Sequence, residues 1–344
     1  MFAPLSIPSP DYEWQVFNLG QWFRDIGLTW FGLDLNIHAY AVCILIGIVA
    51  AGILTNYRLN RRGAEPGVVL DIIIFAVPLG IIGARIFHVL THPDDYFFPG
   101  ADLLKVLYVW EGGIAIFGAL IGGAIGAWIG CKVAGVRFWT FADAVAPALL
   151  LAQAFGRLGN WFNHELFGQP TDLPWGLEIE PTNPAYPAGL PEGTLFHPTF
   201  LYEIIWNVLG LVLILVIERK MRLQWGKVLG LYLIWYGLGR SFFESIRIDP
   251  SEVFFGLRSN VWAAIFAVVV GIAIIVVQNK RHVGVEPSPY VAGREWVKPG
   301  TGVESNETYS DTDEPGNDAA SPEELVTSGP ATSGLAPSEE GAKS

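Results

Sequence analysis

The sequence predicts an all-α polytopic membrane protein with seven transmembrane helices. Hydrophobic residues make up 51% of the 344-residue chain and charged residues only 16%, whereas soluble domains carry about 25% charged residues. The mean hydropathy is +0.40. Because lipid offers the backbone no hydrogen-bond partners, apolar runs of this length are expected to form an α-helical bundle. This composition excludes a disordered protein, a coiled coil and an ordinary cytosolic enzyme.

Seven apolar segments approach the roughly 20 residues that a helix needs to cross a bilayer. Charged residues or turn signals bound each of them, and they cover residues 37–56, 68–90, 112–130, 141–162, 199–217, 228–243 and 260–278. They are too long and too uniformly apolar for the strands of a membrane barrel. The membrane domain is therefore predicted over residues 37–281.

Lysine and arginine are distributed unequally between the two sets of loops. The richer set holds Arg58, Arg61, Arg62, Lys132, Arg137, Arg219, Lys220, Arg222, Lys227, Lys280 and Arg281. The opposite set holds only Arg24, Lys105, Arg247 and Arg258. Because positively charged loops stay in the cytoplasm, the N-terminus is predicted to lie outside and the C-terminus in the cytoplasm.

Three segments are predicted to lie outside the spans. Residues 1–36 are rich in aromatics and indicate an interfacial arm on the outer surface, or a segment that anchors span one. Residues 163–198 are polar and rich in proline, which predicts a small ordered head over the outer ends of spans four and five. Residues 282–344 contain twelve acidic and three basic residues, and their composition is typical of a disordered cytoplasmic tail. Most of the negative charge lies there, and no basic face for nucleic acid is present.

Charged and polar residues of several spans fall at one depth, in the outer part of the membrane. Counted from the cytoplasmic ends, these residues are Tyr40, Arg85, Glu111, Arg157, Asn160, Glu165, His197, Glu203, Arg240 and Glu244. A buried charge is costly in a membrane and usually has a partner or lines a cavity. We therefore predict a polar cavity that opens toward the outer leaflet.

Structural interpretations of the same residues stay open. A single arginine such as Arg85 can extend to the interface without a functional role. Arg240 and Glu244 are four residues apart, which favours an ion pair within one helix. In span three, Gly118, Gly122 and two further glycines recur every four residues. This spacing is typical of close helix packing and predicts that span three is central.

Arginine-rich sites suit anionic phosphoryl groups, because guanidinium groups bind their oxygens bidentately. A metal site is not expected, since the intramembrane aspartates Asp71 and Asp143 lie near the cytoplasmic ends. Cys43 and Cys131 are far apart in apolar runs, so neither a disulfide nor a metal site is predicted. The placement of the arginines thus favours an anionic phospholipid headgroup as the ligand and not a metal ion.

The run from Gly156 to Gly168, GRLGNWFNHELFG, closely resembles the signature of the prolipoprotein diacylglyceryl transferase family. Supporting matches occur in order along the chain: Tyr40, the sequence GAR ending at Arg85, WEGG containing Glu111, HPTFLYE ending at Glu203, and YGLGR ending at Arg240, followed by Glu244 and Arg247. The long motif is specific, and the ordered set makes coincidence improbable.

The resemblance implies an enzyme of the bacterial cytoplasmic membrane that uses phosphatidylglycerol and preprolipoproteins. It would transfer the diacylglyceryl group to the lipobox cysteine, form a thioether and release glycerol phosphate, without a cofactor. By the same resemblance, Arg157 and Asn160 would hold the headgroup, and Arg240, oriented by Glu244, would face the phosphate.

Further positions match the family less centrally. Tyr40 and Glu165 would be polar active-site residues, and Gly168 would allow close backbone approach. Second choices for substrate binding are Arg85, Glu111 and Arg247.

One position departs from the family pattern, in which span three commonly carries an active-site histidine. Phe117 stands there and cannot accept a proton. His38 and His197 are the nearest outer alternatives, and the general base is left unassigned.

The main alternative is a transporter or flippase of an anionic lipid. Such proteins often contain an internal repeat, and none is evident in this sequence. A metal-dependent phosphatidyltransferase would need aspartates clustered within a span, and no span of this sequence contains such a cluster.

Overall fold

The computed structural model describes residues 6–27, 36–109, 112–249 and 251–297. Its α-helices are α1 (Leu19–Asp25), α2 (Ala39–Arg61), α3 (Val68–Thr91), α4 (Ile116–Ala134), α5 (Phe138–Phe162), α6 (Thr199–Met221), α7 (Lys227–Ile246) and α8 (Ser259–Arg281). Its short strands are β1 (Val16–Asn18), β2 (Asn36–His38), β3 (Leu177–Glu178), β4 (Leu195–Phe196), β5 (Val253–Phe254) and β6 (Leu257–Arg258). The strands form three separate antiparallel pairs, each made of consecutive strands.

The predicted polytopic, mostly helical architecture is confirmed. Within the described ranges, six helices are long and apolar enough to cross a membrane, namely α2, α3, α4, α5, α6 and α8. Helix α7 coincides with the sixth predicted span but is less apolar, because it contains Arg240, Glu244 and several aromatic residues with polar groups. The predicted start of the third span, residue 112, is four residues too early. Gly112 and Gly113 have φ angles of 92° and 70°, which are incompatible with a right-handed helix.

Helix α5 is the central helix of the bundle. It packs against α2, α6 and α7. In its most apolar stretch 56% is buried inside the protein, compared with 28% in the same stretch of α4. The outward face of α4 carries exposed apolar residues such as Leu120 and Ile121. The prediction that the third span is central is therefore wrong: α4 lies at the periphery and packs mainly against α3.

The glycine stripe of α4 faces α3, as predicted from its spacing. A Cβ atom at position 122 would lie 3.0 Å from the carbonyl carbon of Leu79 and closer still to its oxygen. At position 130 the nearest atom would be the Cα of Ile72, at 2.7 Å. These glycines allow the two backbones to touch, so their role is packing.

At the end of the bundle that carries the basic loops, Asp143 of α5 binds the first turn of α7. Its carboxylate accepts hydrogen bonds from the backbone N–H groups of Gly226, Val228 and Leu229, at 2.9, 2.9 and 3.0 Å. A carboxylate at a helix N-terminus satisfies unpaired donors and complements the helix dipole. Asp143 therefore has a structural role.

The start of the predicted tail is folded against the helical domain. The N–H of Arg137 donates to the carbonyl oxygen of Pro289 at 2.8 Å, and the Thr140 hydroxyl donates to Glu286 at 2.5 Å. Tyr290 is buried in the core formed by α2, α3, α4 and α5. Residues 283–297 thus pack on the domain, although a disordered tail was predicted from residue 282; residues from 298 onward lie outside the described ranges.

At the opposite end, the segment between α5 and α6 folds into a small unit, called the head below. Strands β3 and β4 pair there, and Phe167, Leu177 and Phe196 form its buried core. Ile7 of the N-terminal segment adds to β3 in parallel. In the arm, β1 pairs with β2 at the start of α2, so the N-terminal segment and the head both lie over this end of the bundle. Residues 1–5 and 28–35 of the arm lie outside the described ranges.

We expect Gly122→Ala to destabilise the protein because the added methyl group collides with the α3 backbone. Overpacking of a close contact costs about 1–3 kcal/mol, so the melting temperature of the detergent-purified protein should fall. Gly123→Ala is the matched control, since its Cβ would lie 3.9 Å from the nearest atom. Equal melting temperatures for the two variants would contradict this account of the α3–α4 interface.

Candidate active site

A cavity of about 300 Å³ lies among helices α4 to α8. One part of its wall is polar and the other is apolar. The polar lining consists of Gln153, Arg157, Glu203, Asn207, Tyr236, Arg240 and Asn260. The apolar lining consists of Ile116, Phe117, Leu120, Trp206, Gly239, Phe243 and Ala263. Of the residues predicted at one depth, Arg157, Glu203 and Arg240 line this cavity, which combines two arginines with apolar surfaces.

Arg157 lines the cavity from α5 and is held by two neighbours. Its Nε atom lies 2.7 Å from Oε2 of Glu203 on α6, and its Nη1 donates to Oδ1 of Asn160 at 3.2 Å. The Arg157 side chain is 21% exposed and that of Glu203 is 8% exposed. The carboxylate therefore fixes one edge of the guanidinium group, while the cavity reaches the rest.

Arg240 lines the cavity from α7, and its predicted ion pair with Glu244 is confirmed. The Nη2 atom of Arg240 lies 2.9 Å from Oε2 of Glu244, whose side chain is fully buried. The other carboxylate oxygen, Oε1, lies 3.1 Å from Nε of Arg258 and accepts a hydrogen bond from Asn260 at 3.0 Å. One buried carboxylate thus contacts two arginines.

Tyr40, Asn160 and Glu165 form a polar group beside Arg157, outside the cavity lining. Asn160 donates from Nδ2 to Oε1 of Glu165 at 2.7 Å. Tyr40 lies close enough to Glu165 and Arg157 to interact with both charges. Gly159 brings α5 against Tyr40, because a Cβ there would lie 2.6 Å from the tyrosine ring. The structure thus brings these three predicted residues together at the end of α5 that adjoins the head.

Gly168 and Arg247 join the head to the end of α7. They form an isolated antiparallel bridge, and a Cβ at position 168 would lie 2.8 Å from the Cβ of His197. The predicted need for close backbone approach at Gly168 therefore arises from packing within the head.

Arg247 is buried and paired with Asp249, with 2.6 Å between Nε and Oδ1. Burial alone would raise the pKa of Asp249, but the hydrogen bond and charge of Arg247, together with the charge of Arg258, hold that pKa below its usual value. The Asp249 carboxylate is therefore ionised and neutralises Arg247. Neither residue lines the cavity.

Arg85 contacts the loop between α3 and α4 rather than the cavity. It donates to the backbone carbonyls of Val106, Gly112 and Gly113 at 2.8, 2.7 and 3.1 Å, and also to that of Lys105. The predicted site residue Glu111 lies outside the described ranges.

Phe117, which stands where the family pattern commonly has a histidine, places an aromatic ring in the cavity wall. Phe117 lines the cavity and packs against Phe87 of α3, with ring centroids 6.0 Å apart. His38 is exposed at the start of α2, and His197 contacts the Tyr202 hydroxyl at 3.3 Å in the head. Neither histidine lines the cavity.

The sequence predicts the depth of Glu203 without its partner Arg157, and it places Arg258, which lies outside the cavity lining, in a loop. Four further lining residues are not predicted. Because these residues are uncharged, their presence in apolar segments does not indicate a site; they are Gln153, Asn207, Tyr236 and Asn260. Among the described residues, no three His, Cys, Asp or Glu side chains come together as metal ligands.

The fold and the cavity define a polytopic membrane protein with an arginine-lined cavity among its helices. A family model described as prolipoprotein diacylglyceryl transferase matches residues 29–277. The chain belongs to this family.

Three relatives illustrate the similarity. The chain is 58% identical over 337 residues to the phosphatidylglycerol–prolipoprotein diacylglyceryl transferase of Leifsonia xyli subsp. xyli, covering 94% of this chain and 98% of the relative. It is 48% identical over 285 residues to the enzyme of the same name from Bifidobacterium longum, covering 79% and 85%. It is 46% identical over 252 residues to transferase 2 of Streptomyces coelicolor, covering 73% and 79%.

Proposed function

We propose that this protein transfers the diacylglyceryl group of phosphatidylglycerol to the lipobox cysteine of preprolipoproteins, the first step of lipoprotein maturation. The observation that carries the proposal is the meeting of Arg157 and Arg240, from two different helices, in one cavity with apolar walls. Family membership and the names of the relatives support the same reaction.

The cavity suits both halves of this lipid. Arg157 and Arg240 provide N–H donors for phosphate oxygens, and arginine binds such groups bidentately. Ile116, Phe117 and Leu120 supply an apolar surface for the glycerol ester region and the acyl chains. Asn160 is held beside Arg157 by Glu165 and is proposed to bind the headgroup with it.

The reaction follows from this placement. The cysteine thiolate attacks a glycerol carbon of the diacylglyceryl group and a carbon–sulfur bond forms. The bond from that carbon to the phosphate oxygen breaks, and glycerol phosphate leaves with the bonding electrons. Negative charge on the leaving phosphate is stabilised by Arg240 and Arg157, whose carboxylate partners hold them in place before the reaction.

The proton of the thiol must be accepted by a group other than Phe117. Tyr40 and Glu165 lie in the polar group next to Arg157 and are proposed as active-site residues, without assignment of the base. Arg85 and Arg247 are proposed to act on the substrate site indirectly, because they fix the α3–α4 loop and the end of α7. The proposed reaction needs no metal or organic cofactor.

We also propose seven spans in a bacterial cytoplasmic membrane, with the N-terminus outside and the C-terminus inside. The basic loops and the head lie at opposite ends of the helices, and Arg157, Arg240 and Glu244 lie toward the head. The positive-inside rule then places the head and the cavity on the extracytoplasmic side. The transporter alternative has no observation in its favour beyond the arginine-lined cavity itself.

Arg157→Ala and Arg240→Ala are each expected to reduce transfer at least about a hundredfold, as expected when a preorganised stabiliser of developing charge is lost. The assay contains purified protein, phosphatidylglycerol and a lipobox peptide, and it measures the mass gain of one diacylglyceryl unit. Arg62→Ala is the control, since Arg62 forms an ion pair of similar length, 2.8 Å, with Glu218 at the opposite end. Near-normal transfer in both site variants, or glycerol phosphate release by the native protein without peptide modification, would contradict the proposal.

The proposed orientation predicts which engineered cysteines react in intact cells. Glu192 lies exposed in the head and Lys220 lies exposed at the basic end of α6, while both native cysteines are buried. A membrane-impermeant maleimide should label Glu192→Cys in intact cells and Lys220→Cys only after lysis. The reverse pattern would refute the orientation.

A further inference from the structure

Arg258 contacts Glu244 and is not part of the cavity lining. It is the residue before α8 and the N-cap of that helix, and its Nε atom lies 3.1 Å from Oε1 of Glu244. Arg240 lies 2.9 Å from the other oxygen of the same carboxylate. The three side chains therefore form a triad in which one negative charge is shared by two positive charges.

The helix termini make this arrangement electrostatically unfavourable for local stability. Arg258 places a cation at the N-terminus of α8, and Glu244 places an anion in the last turn of α7. Each has the sign that a helix dipole disfavours, by about 0.3–1 kcal/mol. The positions are therefore not explained by stabilisation of their own helices, although they compensate each other across the α7–α8 junction.

The triad itself carries one positive charge in excess, and the nearest other arginines have carboxylate partners of their own. Arg157 is paired with Glu203, and Arg247 is paired with Asp249 at 2.6 Å. Asp249 is farther from Arg258, at 3.6 Å. Without Arg258, the fully buried Glu244 would have Arg240 as its one remaining arginine partner among the described contacts, and the pair would carry no net charge.

We propose that Arg258 is a positioning residue that shares Glu244 with Arg240 and so keeps the positive charge of Arg240 available to an anionic headgroup. Arg258 acts through Glu244 and touches no substrate. The inference rests on the proposed function, because it assigns the cavity to a phosphate-bearing ligand.

A purely structural role is the competing explanation. Arg258 also donates to the backbone carbonyls of Glu244 and Arg247, both at 3.0 Å, and to that of Asp249. These contacts close the turn after α7 and need the planar shape of the guanidinium group. Lysine keeps the charge but cannot form the same set of contacts, so Arg258→Lys separates the two roles.

The test compares Arg258→Gln, Arg258→Lys and the control Arg62→Gln in the purified full-length protein. Binding of glycerol phosphate is measured by calorimetry, and the Michaelis constant for phosphatidylglycerol is measured in the transfer assay. We expect Arg258→Gln to weaken both about tenfold, the size expected for one unit charge several ångströms away in a partly screened site. Arg258→Lys should stay within about threefold of the native protein, and an uncharged monoacylglycerol should bind all variants equally.

Any other outcome contradicts the role of Arg258, the proposed transfer function, or both. Equal losses in the Gln and Lys variants, or a matching loss for the uncharged lipid, would show that Arg258 is only structural. No loss in Arg258→Gln would also refute the inference. If the expected binding pattern appears while the native protein transfers nothing to the peptide, the proposed function fails and the role of Arg258 stands. A native protein that does not bind glycerol phosphate refutes both.

Discussion

The arrangement of the site depends on the cost of placing guanidinium groups inside a helical membrane domain. A buried charge is tolerated when it has a partner or faces a polar cavity. Here Arg157 and Arg240 have both, since each contacts a carboxylate from the bundle and also lines the cavity. The carboxylates reduce the cost of burial and fix the arginine side chains before any ligand arrives.

Each of the surrounding helices contributes different residues to the site. Helix α5, the most buried, supplies Arg157 and brings Asn160 to the head side, where Glu165 holds it. Helices α6 and α7 supply Glu203 and Arg240. Between these helices Trp206 and Trp235 stack with their ring centroids 4.1 Å apart, and each indole N–H donates to the backbone carbonyl oxygen of the other tryptophan. This double contact ties together the two helices that carry the partners of the site. Helix α4 contributes an apolar wall and leaves most of its own surface exposed.

The sequence was sufficient for the parts of the site that depend on spacing along one helix. The Arg240–Glu244 pair follows from a separation of four residues, and the glycine spacing in α4 correctly indicates close packing. The common depth of Arg157 and Glu203 was visible as well. Their pairing was not, because it depends on how α5 and α6 rotate about their axes.

Other features escaped the sequence for different physical reasons. Arg85 binds backbone carbonyls, which no residue pattern reveals, and Arg258 acts on Glu244 from a loop position that resembles an ordinary charged turn. The peripheral position of α4 was missed because glycine spacing indicates a close contact but not the number of neighbouring helices. The packed segment 283–297 was missed because the acidic composition of the residues that follow dominates its average.

The proposed function requires that Arg157 and Arg240 bind one phosphate in a single cavity. An experimentally determined structure of the protein in nanodiscs that contain phosphatidylglycerol would test this requirement. We expect density for a lipid phosphate within about 3.2 Å of guanidinium nitrogens of both arginines, with the glycerol region against Phe117. A bound phosphatidylglycerol whose phosphate contacts neither arginine, in a cavity otherwise unchanged, would contradict it.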